Sequence, residues 1–572
     1  MRNDSSAATR LEPPVTRREW FLLVAILLLA AILRFAAPGS FHVEHYDEGV
    51  YASNRWFTAE EGARFPDRHL YAPPLWPGIL EMSQLVLGTS TLGVMLPGIA
   101  CGVFSVWLIW RLVRQWMGPE EALFAAAMLA LSGYHILFSR TALTDVPVSM
   151  FLLWGITAGW RALSTERIGV AIWAGVITGL AWLTKYNGWY PLAVAGAGLA
   201  AANLFHVKRS GIAWLRWRCW GVMVVTAIVV WLPAWFDLQE DGRGGYAAVA
   251  ANHSGYLEGW ASWLTNFRAQ FENLRWWDLL GSHFGRVSLP MLCLVLTLFG
   301  TGIRLQRLIR SGVNREPMSP EILSGWMMVA WVVSLLLMTP LYRPYPRLAM
   351  PLMLVLIVGA ASGFREIRQL WGRDAVTENS STGQDVAGSL TRRKVGTMIW
   401  GLFVLVASVI LVASPVAPDQ GGSPWEDRRS MERLSRMVVE ECTTLSPGRE
   451  SAPVSYLIYV YSEPAIYYHL CRLAPRNVLV SPVANLGFLS QTSGREPVPI
   501  FLVTGPHAQR NPEFQAQLND AENSLKELMV TEVEVSDLVS LNLHSPAELT
   551  HPGKMFPLES YQLWGVVGTF PD

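Results

Sequence analysis

Along the first three quarters of the chain, apolar runs near the roughly 20-residue length of a bilayer crossing alternate with short polar connections. These runs lack the period-2 or period-3.6 polar face that a surface strand or helix would carry. The pattern predicts about eleven membrane-spanning helices, near residues 20–37, 91–113, 121–138, 146–163, 169–183, 189–205, 219–236, 286–303, 322–339, 347–363 and 397–414. Each is expected to be helical, because hydrocarbon offers no water to satisfy backbone groups. The character changes after Pro415: strand-like runs at Pro453–Tyr461 and Val498–Gly505 alternate with helical stretches near Asp427–Glu441 and Pro512–Leu528. Alternating strands and helices predict a small α/β domain. The expected division is a tail over 1–19, a membrane domain over 20–414 with its first outer loop at 38–90, and an α/β domain over 415–572.

Composition agrees with the pattern. Hydrophobic residues make up 51% of the chain and charged residues only 16%, a balance that excludes a string of soluble domains. The net charge of zero averages two unlike parts and identifies no partner. The N-terminal tail reads as a cytoplasmic stub rather than a cleaved signal peptide, since no small-residue cleavage pattern follows the long apolar run. Lys and Arg gather in alternate connections, at Arg10, Arg17 and Arg18, then Arg111 and Arg114, Lys208 to Arg218, Arg304 to Arg315, and Arg365 to Lys394. Placing these inside puts the N-terminus in the cytoplasm and, after an odd number of spans, the C-terminal domain on the far side of a plasma (inner) membrane. There, Cys442 and Cys471 stand in a compartment that permits a disulfide between them.

With that orientation, the polar clusters at span ends fall mostly on one side. Asp47 and Glu48 follow the first span, with Tyr46, Tyr51, Trp56 and Tyr71 in the same loop. Arg140 and Asp145 follow the third, Lys185 and Tyr186 the fifth, and His253 lies in the loop after the seventh. Arg343 and Arg347 precede the tenth. Charges at a membrane edge need mutual pairing or a wet cavity. Paired acids beside separated bases suit a phosphate-bearing lipid and a nucleophile, because Lys and Arg hold phosphate oxygens and a carboxylate serves as general base. Plainer roles exist for the same residues. Asp47 and Glu48 fit a helix N-terminus, Arg140 and Asp145 fit a structural ion pair, and Lys185, Arg343 and Arg347 fit membrane-edge anchoring.

The order of an acidic pair after the first helix, Pro73-Pro74 in the same loop, ALTDVP (Ala142–Pro147), LTKYNGW (Leu183–Trp189) and YRPYPR (Tyr342–Arg347) resembles the C-type glycosyltransferases. The closer resemblance is to the branch of protein O-mannosyltransferases and lipid A aminoarabinose transferases, and it covers about the first 360 residues. It implies a C-type glycosyltransferase fold and transfer of a sugar from a polyprenyl phosphate carrier to an outer-face protein, lipid or glycan acceptor, with no nucleic acid involved. It implies catalytic roles for Asp47, Glu48 and Asp145, and phosphate contacts for Lys185 and for Arg343 or Arg347; Tyr186, Tyr71 and Arg140, which stand in the same polar clusters, join them as substrate-binding candidates. At LYAPPLWP (Leu70–Pro77) the chain departs from the pattern: Tyr71 and Ala72 stand where an acid and a lysine are expected. No cofactor is certain from the resemblance. A divalent metal stays open, with Glu48 and His253 as its candidate ligands.

Overall fold

The computed structural model describes residues 14–53, 68–206, 213–240, 242–278, 288–374, 422–447, 449, 452–491, 498–543 and 558–569. The chain begins with α1 (Arg17–Phe35) and a first loop holding the short helices α2 (Tyr46–Ser53) and α3 (Leu75–Leu87). There follow α4 (Thr91–Trp116), α5 (Pro119–Leu131), α6 (Gly133–Ser139), α7 (Asp145–Thr165), α8 (Ile168–Thr184), α9 (Tyr190–His206) and α10 (Ala213–Leu238). A second long connection carries α11 (Gly245–Ser254) and α12 (Trp263–Trp276). The last long helices are α13 (Leu289–Val313), α14 (Pro320–Met338) and α15 (Met350–Asp374).

Helices thus stand on the first ten predicted spans, while 397–414 lies outside the described residues. Six are long and apolar enough to cross a membrane, or seven when α5 and α6 count as one bent span. The expected eleven is higher because α8 and α9 are only 17 residues long and α1 carries Arg17, Arg18, Glu19 and Arg34.

Local sequence explains the boundaries. Ser90, Ser288 and Ser319 accept hydrogen bonds from the first-turn amides of α4, α13 and α14, as N-caps do. Ser132 ends α5 and caps α6, accepting from His135 N at 3.3 Å, and the axis bends there by 63°. The break frees carbonyls inside the bundle, and the fully buried Arg34 takes them: its guanidinium donates to Leu129 O (3.3 Å), Ala130 O (3.4 Å) and Ser139 Oγ (3.2 Å). Close packing rests on small residues. Gly359 and Gly363 on α15 meet Thr297 and the Leu296 backbone on α13, and a Cβ on Gly359 would sit 2.6 Å from Thr297 Oγ1. At the end away from the first loop, acids and bases pair: Arg114 with Glu19 (2.6 Å), Arg216 with Glu166 (3.1 Å), and Arg307 with Glu366.

The C-terminal domain comprises α16 (Ser430–Thr444), β1 (Tyr456–Tyr461), α17 (Pro464–Leu473), β2 (Val478–Val483), β3 (Ile500–Thr504), α18 (Pro506–Gln509), α19 (Pro512–Asp520), β4 (Leu525–Val533), α20 (Asp537–Leu543) and β5 (Glu559–Val566). Its sheet has the order β2-β1-β3-β5-β4, parallel through the first three strands and antiparallel across β5. The helix expected over Pro512–Leu528 stops at Asp520. Leu525 onward pairs with β5 instead, with a bulge between Glu527 and Met529. Cys442 and Cys471 form no disulfide; the first is buried and the second exposed.

Candidate active site

Helix α2 begins where the first loop meets the C-terminal domain, and its first turn holds both acids. His45 is the residue before the helix. Its Nδ1 accepts from Asp47 N (3.1 Å), and burial, together with Arg347, holds its imidazole well below the usual histidine range, so it is neutral. Glu48, three residues into the turn, reaches back to accept from the backbone of His45 (3.0 Å) and Glu44 (3.2 Å), the return half of a capping box.

Asp47 faces the other way. It pairs with Arg347, which sits on the short 3-10 turn Pro346–Ala349, and it accepts from Tyr51 Oη at 3.5 Å. Asp47, Tyr51, Tyr71, Lys185, His253, Tyr256 and Arg347 line a cavity of about 60 Å³. Lys185, which ends α8, donates to Asp145 Oδ1 at 2.6 Å on the first residue of α7. The other Asp145 oxygen is buried and has no hydrogen-bond partner among the described residues. Each cation at this cavity therefore has one carboxylate, and an entering anion would share both cations.

The cavity continues through Lys185, His253, Tyr256 and Leu348 into a groove of about 590 Å³ with mostly apolar walls, among them Leu152, Trp189, Leu335, Met338 and Pro351. Its walls are tied together by a short antiparallel bridge between Leu257 and Tyr342, with Arg343 N donating to Tyr256 O at 2.8 Å. Tyr186 lines the groove and donates to His69 O at 2.5 Å; it meets His253 edge-on at 5.7 Å.

Three expected site residues lie elsewhere. Glu48 is fully buried behind α2: it accepts from Ala142 N (2.8 Å) and pairs with Arg428 of the C-terminal domain, so its oxygens do not reach the cavity. Arg140 donates to Arg34 O (2.9 Å), Ala36 O (2.5 Å) and Ser40 Oγ (2.6 Å), and its guanidinium covers Phe41. It closes the carbonyl end of α1 and is not available to a substrate. Arg343 lies over the Tyr345 ring and lines neither cavity nor groove. Of the two metal candidates, only His253 reaches the cavity, with Nδ1 donating to Val249 O at 2.8 Å. Among the described residues no three His, Cys, Asp or Glu side chains converge on one point.

Residues that sequence reading passed over are Tyr256, Asn252 and Tyr345 at the cavity and Arg428 behind it. Tyr345 stood inside the YRPYPR motif, in which only the arginines were weighed. The joint around Arg428 is extensive. Ser430 donates to Glu44, His469 bonds Val43 O (2.8 Å), and Trp276 donates to Asp537 (3.1 Å). Burial alone would lower Arg428, yet the surrounding Glu48, Glu44 and Glu426 carboxylates raise it above its ordinary value. Burial raises Glu426, Asp537 and Glu44 above the usual carboxylate range.

Residues 71–235 match the family model described as dolichyl-phosphate-mannose-protein mannosyltransferase. The polyprenol-phosphate-mannose–protein mannosyltransferase of Mycolicibacterium smegmatis is 28% identical over 213 residues, which is 31% of this chain and 40% of that protein. Its Mycobacterium tuberculosis counterpart is 26% identical over 239 residues, 35% of this chain and 45% of that protein. The chain thus spans less than half the length of these curated relatives. The crystal structure of ArnT from Cupriavidus metallidurans bound to undecaprenyl phosphate superposes with a TM-score of 0.53 at 14% identity, covering 97% of this chain and all of that one. The chain has the fold of the C-type membrane glycosyltransferases, as its ordered motifs imply.

Proposed function

We propose that this protein is an integral membrane glycosyltransferase that moves a monosaccharide from a polyprenyl phosphate carrier to an acceptor on the outer face of the membrane. The observation that carries this reading is the junction at Lys185, where a small polar cavity holding Asp47 and Arg347 opens into a long apolar groove. An isoprenoid chain suits the groove, and its phosphate would then sit between Lys185 and Arg347. The matched family description, the names of the mycobacterial relatives and the undecaprenyl phosphate bound to ArnT in its crystal structure all support the same donor class.

In this reading Asp47 takes the proton from the acceptor's nucleophilic atom as that atom attacks the anomeric carbon. The carbon–oxygen bond to phosphate breaks in a single inverting displacement, and the polyprenyl phosphate leaves with its charge on Lys185 and Arg347. Asp145 holds Lys185 in place, as the 2.6 Å ion pair supports. The reaction calls for the N-terminus in the cytoplasm and the C-terminal domain outside a plasma membrane, in line with the basic connections.

The test is to incubate the purified protein with a panel of radiolabelled polyprenyl-phosphate monosaccharides. One donor is expected to be consumed with release of polyprenyl phosphate. Consumption only of a pyrophosphate-linked oligosaccharide, or of no donor, would overturn the proposal.

A further inference from the structure

The turns that follow β1 and β3 lie side by side in the parallel half of the sheet, between strands whose chain connections depart in opposite directions. The crevice at such a point, outside the carboxyl ends of the strands, is where parallel sheets bind ligands. Here the crevice is pressed against α2. A Cβ on Gly49 would strike the backbone of Pro464 and Ala465, so the catalytic helix and α17 touch main chain to main chain.

Two polar side chains meet in the crevice. Glu463, after β1, is buried, and its carboxylate accepts from the backbone of His507 (3.0 Å) and from that residue's ring Nδ1 (3.1 Å). Gly505 permits this approach, since a Cβ there would sit 2.6 Å from Glu463 Oε1. The ring's other nitrogen, Nε2, has no hydrogen-bond partner among the described residues. The imidazole packs on Tyr46 at 4.5 Å, and Tyr46 shares a 3.0 Å hydrogen bond with Tyr71, a wall of the Asp47 cavity.

We propose that Glu463 and His507 form an acceptor subsite, in which His507 Nε2 shares a hydrogen bond with a hydroxyl of a sugar acceptor lying beside Tyr46. This rests on the glycosyl-transfer reading above and names its acceptor class. A pyranose offers an apolar face to an aromatic ring and hydroxyls at its rim, which this pairing of ring and carboxylate-backed histidine matches. An extended peptide would want an unpaired strand edge, and β1 and β3 are both interior strands.

The experiment uses the full-length protein in detergent, with saturation-transfer NMR to a hexose disaccharide and to a serine- and threonine-containing peptide, alongside transfer kinetics. Wild type is expected to give signal to the disaccharide. His507→Ala is expected to lose it and to raise acceptor KM about ten-fold, the scale of one lost hydrogen bond, with donor KM unmoved. His507→Gln, which keeps a hydrogen-bonding group near Nε2, is expected to recover part of the affinity, and Glu463→Gln to lie between. Disaccharide binding unchanged by both His507→Ala and Glu463→Gln would overturn the subsite, as would signal to the peptide alone. The NMR measurement needs no turnover, so a protein that consumes no donor fails the transfer reading while the subsite is judged on its own.

Discussion

Two carboxylates adjacent in sequence do opposite work in this molecule. Asp47 opens onto a cavity with Lys185 and Arg347, whereas Glu48 is sealed into the joint between the first loop and the C-terminal domain. A helix turns by about 100° per residue, so neighbours on α2 must face different surroundings. Adjacent acids therefore need not share a role: in the proposed reaction Asp47 supplies the base, while Glu48 fixes where it points. Arg428 and the backbone of Ala142 hold Glu48, and through it the turn that carries Asp47.

Neutralising each acid in turn separates the two roles. Asp47→Asn is expected to lower transfer by about 100-fold to 10,000-fold, the contribution of a general base, with an unchanged unfolding midpoint. Glu48→Gln should lower the midpoint while leaving the pH profile of the remaining activity alone. Kinetics and thermal unfolding of both variants decide it. If Glu48→Gln moves the pH profile and Asp47→Asn does not, the roles are reversed.

The joint can be tested by stability alone. Arg428→Met leaves Glu48 charged and unpaired in a dry site, a change that costs about 3 to 5 kcal/mol in comparable buried pairs. Pairing it with Glu48→Gln removes the stranded charge and should recover most of the loss, which a double-mutant cycle in denaturant would measure. Additive losses would mean that the two side chains do not sense each other.

How far the site was legible follows from what each residue's partner is. The apolar runs were readable because a bilayer imposes length on each helix, and the cavity residues were readable because they recur at span ends on one side. Lys185 and Asp145 are 40 residues apart, yet both sit at helix ends that the alternation of spans brings together. Arg428 was not readable: it reaches Glu48 across 380 residues, and nothing local marks it among the arginines near it. Arg140 misled for a related reason. A basic residue at a span end fits phosphate binding and carbonyl capping equally, and only the left-handed turn at Ala37, which aims carbonyls at it, decides. The stretch Leu525–Val533 alternates too weakly to announce a strand, and its pairing with β5 is what makes it one.

The smallest effect expected concerns pH at the joint. Glu426 is buried beside Asp537 and Glu44, and both burial and these neighbours raise its pKa above the ordinary glutamate value of about 4.3. A carboxyl with a raised folded pKa keeps its proton in the native protein after the unfolded chain has lost it. The unfolded state then binds fewer protons, so stability falls as pH rises above about 4.3, by up to about 1.4 kcal/mol per unit for one retained proton, until the folded group ionises. Asp427 and Glu432 oppose this only in acid: hydrogen bonds from Arg429 hold the first near 2, and Arg436, Arg472 and His42 hold the second near 2 against its burial. Asp537 and Glu44 tilt stability the same way, and the buried His45 and His469, held below the usual histidine range by burial, tilt it the other way, so the informative quantity is a difference: Glu426→Gln, which keeps the shape and removes the titration, should gain stability relative to wild type as pH rises from about 5 to about 8. A difference between the two proteins that stays constant with pH would show that Glu426 does not titrate differently on folding.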